Sequence, residues 1–215
     1  MSDNIVKYSF FGKSVWLRVL VAISFLLLLS VIKMVFLNNN LHLDLWVQEL
    51  FALYKTPQLT KVVLFITGIG DYPVMITFYV FLIIWLLIKH KNKFLSLKIA
   101  FIALASVGLM HILKNIFKRE RPVSDILEPV GYSFPSGHSM NSLVFFCMLI
   151  FICQYYLKQR SWRVIVSVLF TLCFLLIGMS RVYLEVHYFT DVVAGFCIGF
   201  IWLYAGDSIW GYRRG

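Results

Sequence analysis

The chain has 215 residues, 60% of them hydrophobic and only 14% charged, with a formal net charge of +10 at pH 7. Soluble domains average about 45–50% apolar and about 25% charged residues, so this composition excludes a soluble domain. The Lys and Arg residues collect in short loops between apolar runs, which is the pattern of membrane topology and not of a nucleic-acid surface.

Runs of about 20 apolar residues match a hydrocarbon core of about 30 Å. Six are legible, near residues 15–37, 72–89, 96–117, 138–157, 162–180 and 187–206. The first follows basic residues and is long enough to span, so it reads as an uncleaved helix and not as a signal peptide. Residues 38–71 differ. They mix Asn38, Asn39, Asn40, Asp44, Glu49, Lys55 and Pro57 with apolar residues. Leu45–Tyr54 and Leu59–Ile69 are too short to cross and read as amphipathic helices at the interface. The expectation is an all-α, polytopic membrane protein of one domain over 1–215, with six transmembrane helices plus short interfacial helices between the first two. Cys147, Cys153, Cys173 and Cys197 lie in apolar runs without a CxxC pair and read as small apolar fillers.

Orientation follows from the basic loops. One side carries Lys7, Lys13 and Arg18, then Lys89, Lys91, Lys93 and Lys98, then Lys158, Arg160 and Arg163, then Arg213 and Arg214. By the positive-inside rule that side is cytoplasmic, and both termini with it. Only Asp3 and Asp207 among the acids share it.

Three polar clusters fall at the other side: Lys114 with Arg121-Pro122, then Pro135-Ser136-Gly137-His138, then Ser180-Arg181 with His187 and Asp191. Lys114, Arg121 and Arg181 suit an anion gripped from several directions. Ser136 and Gly137 open a helix whose free N–H groups make an anion site; Ser136 either donates to the anion or caps the helix. His187 and Asp191 stand four apart, so on a helix they share a face. A carboxylate on one ring nitrogen leaves the other free as a nucleophile. His138 can protonate a leaving oxygen and later deprotonate water. No carboxylate cluster suited to Mg²⁺ is seen, so no metal and no cofactor is expected. Polar groups in membrane segments are expensive and tend to be functional, which favours this joint reading over a purely structural one.

At these residues the sequence resembles the type-2 phosphatidic acid phosphatase family, whose signature is K-x6-RP, PSGH and SR-x5-H-x3-D. All three parts match in order and spacing. Gly131-Tyr132-Ser133-Phe134 resembles the bacterial members in particular, of the phosphatidylglycerophosphatase B and undecaprenyl pyrophosphate phosphatase types. The resemblance implies His187 as the residue that forms a phosphohistidine, Asp191 as its orienting partner and His138 as general acid. It implies Lys114, Arg121, Ser136, Gly137 and Arg181 as phosphate ligands. Glu185 stands where a small residue, often Gly, is expected, and Phe189 where Pro or Trp is frequent.

The expected function is hydrolysis of a membrane lipid phosphate or pyrophosphate on the extracytoplasmic side of a bacterial inner membrane. The substrates in view are phosphatidylglycerol phosphate, phosphatidic acid, diacylglycerol pyrophosphate and undecaprenyl pyrophosphate; the partners are the lipid substrate and the bilayer, not nucleic acid. A lipid phosphotransferase, an anion-binding transporter and a vanadate-dependent oxidase are the rivals. Transport needs no nucleophile, and the spans argue against a soluble oxidase. Among other polar residues, His111 reads as structural, Asp71 as a helix-start acid and Asp125 and Glu128 as loop solvation. Lys118 and Arg119 divide evenly between guiding headgroups and plain solvation.

Overall fold

Apolar helices in a bilayer associate through close backbone approach and a few buried polar contacts, and both are found here. The computed structural model describes residue 10 and residues 14–210. Lys7, Lys13, Arg213, Arg214 and Asp3, used in the orientation argument, lie outside them. The chain order is α1 (Val15–Ile32), continued by a π-helical turn (Lys33–Leu37), then α2 (His42–Ala52), α3 (Pro57–Ile69), α4 (Tyr72–Lys89) and α5 (Lys93–Phe117). After a loop come α6 (Gly137–Tyr156), α7 (Arg160–Tyr183) and α8 (Phe189–Ile209). Among the described residues there is no strand.

Six of these helices are long and apolar enough to cross a membrane, and the chain is an integral membrane protein. They coincide with the six expected spans, with shifted ends. Asn92 accepts from the Leu95 amide at 3.0 Å and starts α5 three residues early. α8 starts two residues late, at Phe189. Tyr188 is extended, and its amide donates to the Asp191 carboxylate at 2.9 Å, so the helix begins beyond His187. The expected placement of His187 on that helix is therefore corrected. The two short helices fall at α2 and α3, where Pro57 and the Thr56 side chain set the start of α3.

α6 and α8 are central: 56% and 50% of their apolar stretches are buried, against 11% for α1 and 17% for α4 and α7. Two glycines on one face of α8 bring them together. A methyl group on Gly195 would lie 2.6 Å from the Ser136 carbonyl oxygen, and one on Gly199 would lie 3.0 Å from that of Met140. This small-x3-small spacing lets the backbone of α8 rest on the first turns of α6. The approach carries Ser136 to Asp191, whose carbonyl accepts from the Ser136 amide at 3.0 Å.

The bundle has two polar ends. At one, Lys98 pairs with Asp207, which also accepts from the Phe10 amide. Trp85, His90 and Tyr156 cluster at this same end. At the other meet the end of α5, the start of α6, the end of α7, the start of α8 and the corner between α3 and α4.

Because the neighbour of Gly195 is backbone, Gly195→Ala forces α6 and α8 apart. The expected cost is about 1–3 kcal/mol, as for overpacking generally. Thermal unfolding in detergent should show a lowered midpoint, while Gly108→Ala, with open space around it, should not.

Candidate active site

The loop between α5 and α6 is built to hold cations. Lys118 takes a left-handed conformation (φ 47°) and ends α5. The chain then doubles back, with the Ser133 amide donating to Arg119 O at 2.8 Å and the Ser133 hydroxyl to Glu120 O at 2.8 Å. This turns a row of carbonyls inward. Arg121 donates to Gly131 O (2.8 Å) and Val130 O (3.2 Å), and Lys114 donates to Tyr132 O (2.6 Å). From across the site Val186 O also accepts from Arg121, at 2.7 Å.

His187 is buried, with Nδ1 3.4 Å from Asp191 Oδ2 and Nε2 3.2 Å from an Arg121 guanidinium nitrogen. The tautomer that satisfies both contacts carries its proton on Nδ1 and turns the Nε2 lone pair toward the cations. Burial pushes its pKa down from 6.5 to about 3; Asp191 pulls the other way, and Arg121 and Lys114 add to the depression. Burial also lowers Arg121, against the pull of Asp191.

Behind Asp191 lies a chain of buried charge. Arg119 donates to Asp191 Oδ1 at 2.6 Å, to Thr190 Oγ1 at 2.8 Å and to Asp44 Oδ2 at 2.8 Å. Asp44 accepts in turn from the amide and hydroxyl of Thr190, at 2.8 and 2.7 Å. The Arg119 guanidinium rests 4.1 Å from the centre of the Tyr188 ring. The reading of Arg119 as a headgroup guide or a solvated loop residue is thus corrected: it is 8% exposed and faces inward. Asp44 was not singled out in the sequence. Its signal is an acid within a short apolar segment that nothing in the three clusters accounts for.

The other wall is made by the α3–α4 corner. His138, on the first turn of α6, has Nε2 2.9 Å from Asp71 Oδ1. Asp71 stands at the start of α4, as expected, but its side chain makes no capping bond there and turns to His138 instead. Arg181 donates to Thr67 Oγ1 at 2.6 Å. Its Nε is buried with no partner among the described residues. The charges of Arg121, Arg181 and Asp191 all act on Lys114, and those of Arg181, Lys114 and Asp71 on His138. Ser136 is fully buried, and its hydroxyl faces the Ser139 amide (3.4 Å) and hydroxyl (2.9 Å), the capping alternative. Gly137 leaves room for the Tyr72 hydroxyl, 3.2 Å from where a methyl group would stand.

The eight residues expected at the site therefore meet at one end of the bundle. His111 is exposed, as are Asp125 and Glu128 in the loop. Glu185 has φ 54°, which explains why a small residue suits the position, and its carboxylate turns away to Lys55 at 2.7 Å. Among the described residues no three His, Cys, Asp or Glu side chains form a group able to hold a metal ion.

The family model of the PAP2 superfamily matches residues 95–214. Phosphatidylglycerophosphatase B of Bacillus subtilis (strain 168) is 35% identical over 95 residues, 43% of this chain and 47% of that protein. "Putative undecaprenyl-diphosphatase YbjG" of Escherichia coli (strain K12) is 28% identical over 137 residues, 60% of this chain and 63% of that protein. The chain thus aligns with less than two thirds of either curated relative. Among solved structures, the transmembrane PAP2 type phosphatidylglycerolphosphate phosphatase from Bacillus subtilis superposes with a TM-score of 0.80 at 24% identity, over 88% of this chain and 94% of that one. Aquifex aeolicus LpxE superposes with a TM-score of 0.59 at 26% identity, over 76% and 94%.

Two outcomes follow from the geometry. Arg119→Ala strands two buried carboxylates and should cost about 3–5 kcal/mol, the scale of a broken buried pair. Lys118→Ala, next to it and exposed, should move stability by no more than about 0.5 kcal/mol; detergent melts compare the two. The folded-state value of His187, about 3, lies below the 6.5 of the unfolded chain. Stability linked to its neutral ring is therefore complete above about pH 6.5 and is lost as pH falls from there toward 3. In ring-nitrogen NMR the resonance missing from His187→Gln should remain that of a neutral imidazole at pH 5.

Proposed function

Since the chain belongs to the PAP2 superfamily, we propose that it is a lipid phosphatase working through a phosphohistidine. The observation that carries this reading is the meeting of three cations, the His187–Asp191 pair and His138 at one end of the bundle. Two relatives carry the names phosphatidylglycerophosphatase and undecaprenyl-diphosphatase, which supports a phosphate or diphosphate carried on a lipid.

The steps follow from the contacts. The lipid phosphate binds Lys114, Arg121 and Arg181, with the guanidinium of Arg181 and the start of α6 taking its oxygens. Arg121 exchanges its contact with His187 Nε2 for one with phosphate. Nε2 then attacks phosphorus, the bond to the lipid oxygen breaks, and the electron pair leaves with that oxygen, which takes a proton from His138. Asp191 stabilises the charge that grows on the imidazole, itself held by Arg119. A water next gives a proton to His138 and its oxygen attacks phosphorus. The P–N bond breaks and its electrons return to His187. Fixed side-chain cations stabilise the transferring group without a metal ion.

The site opens on the extracytoplasmic side in this reading. Lys89, Lys91, Lys93, Lys158, Arg160 and Arg163 lie toward the opposite end of the helices, as the positive-inside rule places a cytoplasmic face. In this reading the bilayer is a bacterial inner membrane, which the bacterial source of the two relatives supports.

His187→Ala should lower phosphate release by on the order of 10³-fold or more with its melting temperature kept, because it removes the nucleophile. Purified enzyme should release phosphate from phosphatidylglycerol phosphate, phosphatidic acid, diacylglycerol pyrophosphate or undecaprenyl pyrophosphate with no acceptor lipid present. A chelator should leave that rate unchanged. Wild-type rates in His187→Ala, or activity lost to chelator and restored by Mg²⁺, would overturn the mechanism.

A further inference from the structure

We propose that Asp71 is a positioning residue for His138, orienting it as proton donor to an alcohol leaving group, and that this biases the site toward lipid phosphomonoesters over lipid diphosphates. The inference rests on the reading of His138 as the general acid.

The α3–α4 corner is shaped around the His138 ring. Asp71 Oδ1 stands 2.9 Å from Nε2. A methyl group on Gly70 would lie 2.9 Å from His138 Cδ2 and 2.6 Å from Ile177, so only a residue without a side chain lets the corner come so near. Three residues earlier Thr67 holds Arg181. Asp71 also stands before α4 without capping it by its side chain, which leaves the carboxylate to the imidazole. The groups that act on His138 are Asp71 from the corner, Arg181 from α7 and Lys114 from α5. Asp71 is the carboxylate in that set, facing two cations.

With Nε2 held by Asp71, Nδ1 is the nitrogen left to face substrate. This mirrors the other wall, where Asp191 holds His187 Nδ1 and leaves Nε2. The two His–carboxylate pairs then stand on opposite sides of the phosphate. In the first step His187 Nε2 forms its bond to phosphorus, the P–O(lipid) bond breaks, and the proton on His138 Nδ1 passes to the departing oxygen. Asp71 balances the positive charge of the ring before the transfer and fixes its direction.

Leaving-group chemistry turns this into substrate preference. An alkoxide is about as basic as hydroxide, whose conjugate acid has a pKa of about 15.7, so its departure needs a well-placed proton. A lipid phosphate departing from a diphosphate has a pKa near 6 and needs little help. It also carries negative charge toward the Asp71 carboxylate, which is half exposed on that wall. Asp71 therefore favours the first class and disfavours the second.

The matched probes are dioleoyl phosphatidic acid and dioleoylglycerol pyrophosphate, which share tails and differ in the leaving group. Initial-rate kcat/KM is measured for wild type, Asp71→Asn, Asp71→Ala and His138→Ala, with a detergent melt on each. Asp71→Asn should lower the ratio of kcat/KM on phosphatidic acid to that on the pyrophosphate by about tenfold or more, within the 10²–10⁴ range of general acid catalysis. His138→Ala should lower it at least as far. Equal losses on both substrates in the Asp71 variants, or none, beside a selective loss in His138→Ala, would overturn the role of Asp71 and leave the phosphatase reading standing. A His138→Ala enzyme that loses no more on phosphatidic acid than on the pyrophosphate would overturn the acid assignment and Asp71 with it.

Discussion

A charge buried in a bundle of apolar helices must be met by its opposite and by hydrogen bonds, or the helices separate. Arg119 meets this demand for two acids at once. It joins Asp191 on α8 to Asp44 on α2, while Thr190 donates twice to Asp44. The short helix α2 is thereby tied to the start of α8. The residue that touches His187 is held from behind by a cation that no anion in the site needs to displace. Asp191 also accepts from the Tyr188 amide, so one carboxylate starts a helix, anchors an arginine and fixes a tautomer.

Close backbone contact supplies the rest of the framework. Gly195 and Gly199 let α8 lie on the first turns of α6, which places the Ser136 turn beside Asp191. Gly70 does the same for the α3–α4 corner and the ring of His138. In lipid such contacts matter because hydrophobic burial gives little drive for helices to associate with one another. The polar site is thus enclosed on two walls by positions where a methyl group would not fit.

The result is one polar end of the bundle that holds two histidines, each beside a carboxylate. His187 stays neutral because it is buried, and its lone pair faces the cations. His138 is held by the carboxylate of Asp71 on the other wall. The cations are held by backbone carbonyls at 130–132 and 186 and by Thr67. Carbonyls and a hydroxyl are weak partners for a charged group, so these cations lack, among the described residues, a buried counter-charge of the kind Arg119 has.

The six spans, the interfacial pair and the convergence of the signature residues were legible in the sequence. Each rests on local information: apolar run length, basic loops, and spacing within short motifs. The placement of His187 was not, because helix spacing alone does not show that Asp191 draws in the Tyr188 amide and delays the start of α8. The left-handed backbone of Glu185 was hinted at by the small residue expected there, but its turn toward Lys55 was not. Arg119, Asp44 and Asp71 stand outside the matched positions, and their partners lie 67 or more residues away along the chain. A sequence shows which groups are too costly to leave alone in a membrane. Which of them pair is decided only when helices pack, because a buried ion's partner is whatever the fold brings within about 3 Å.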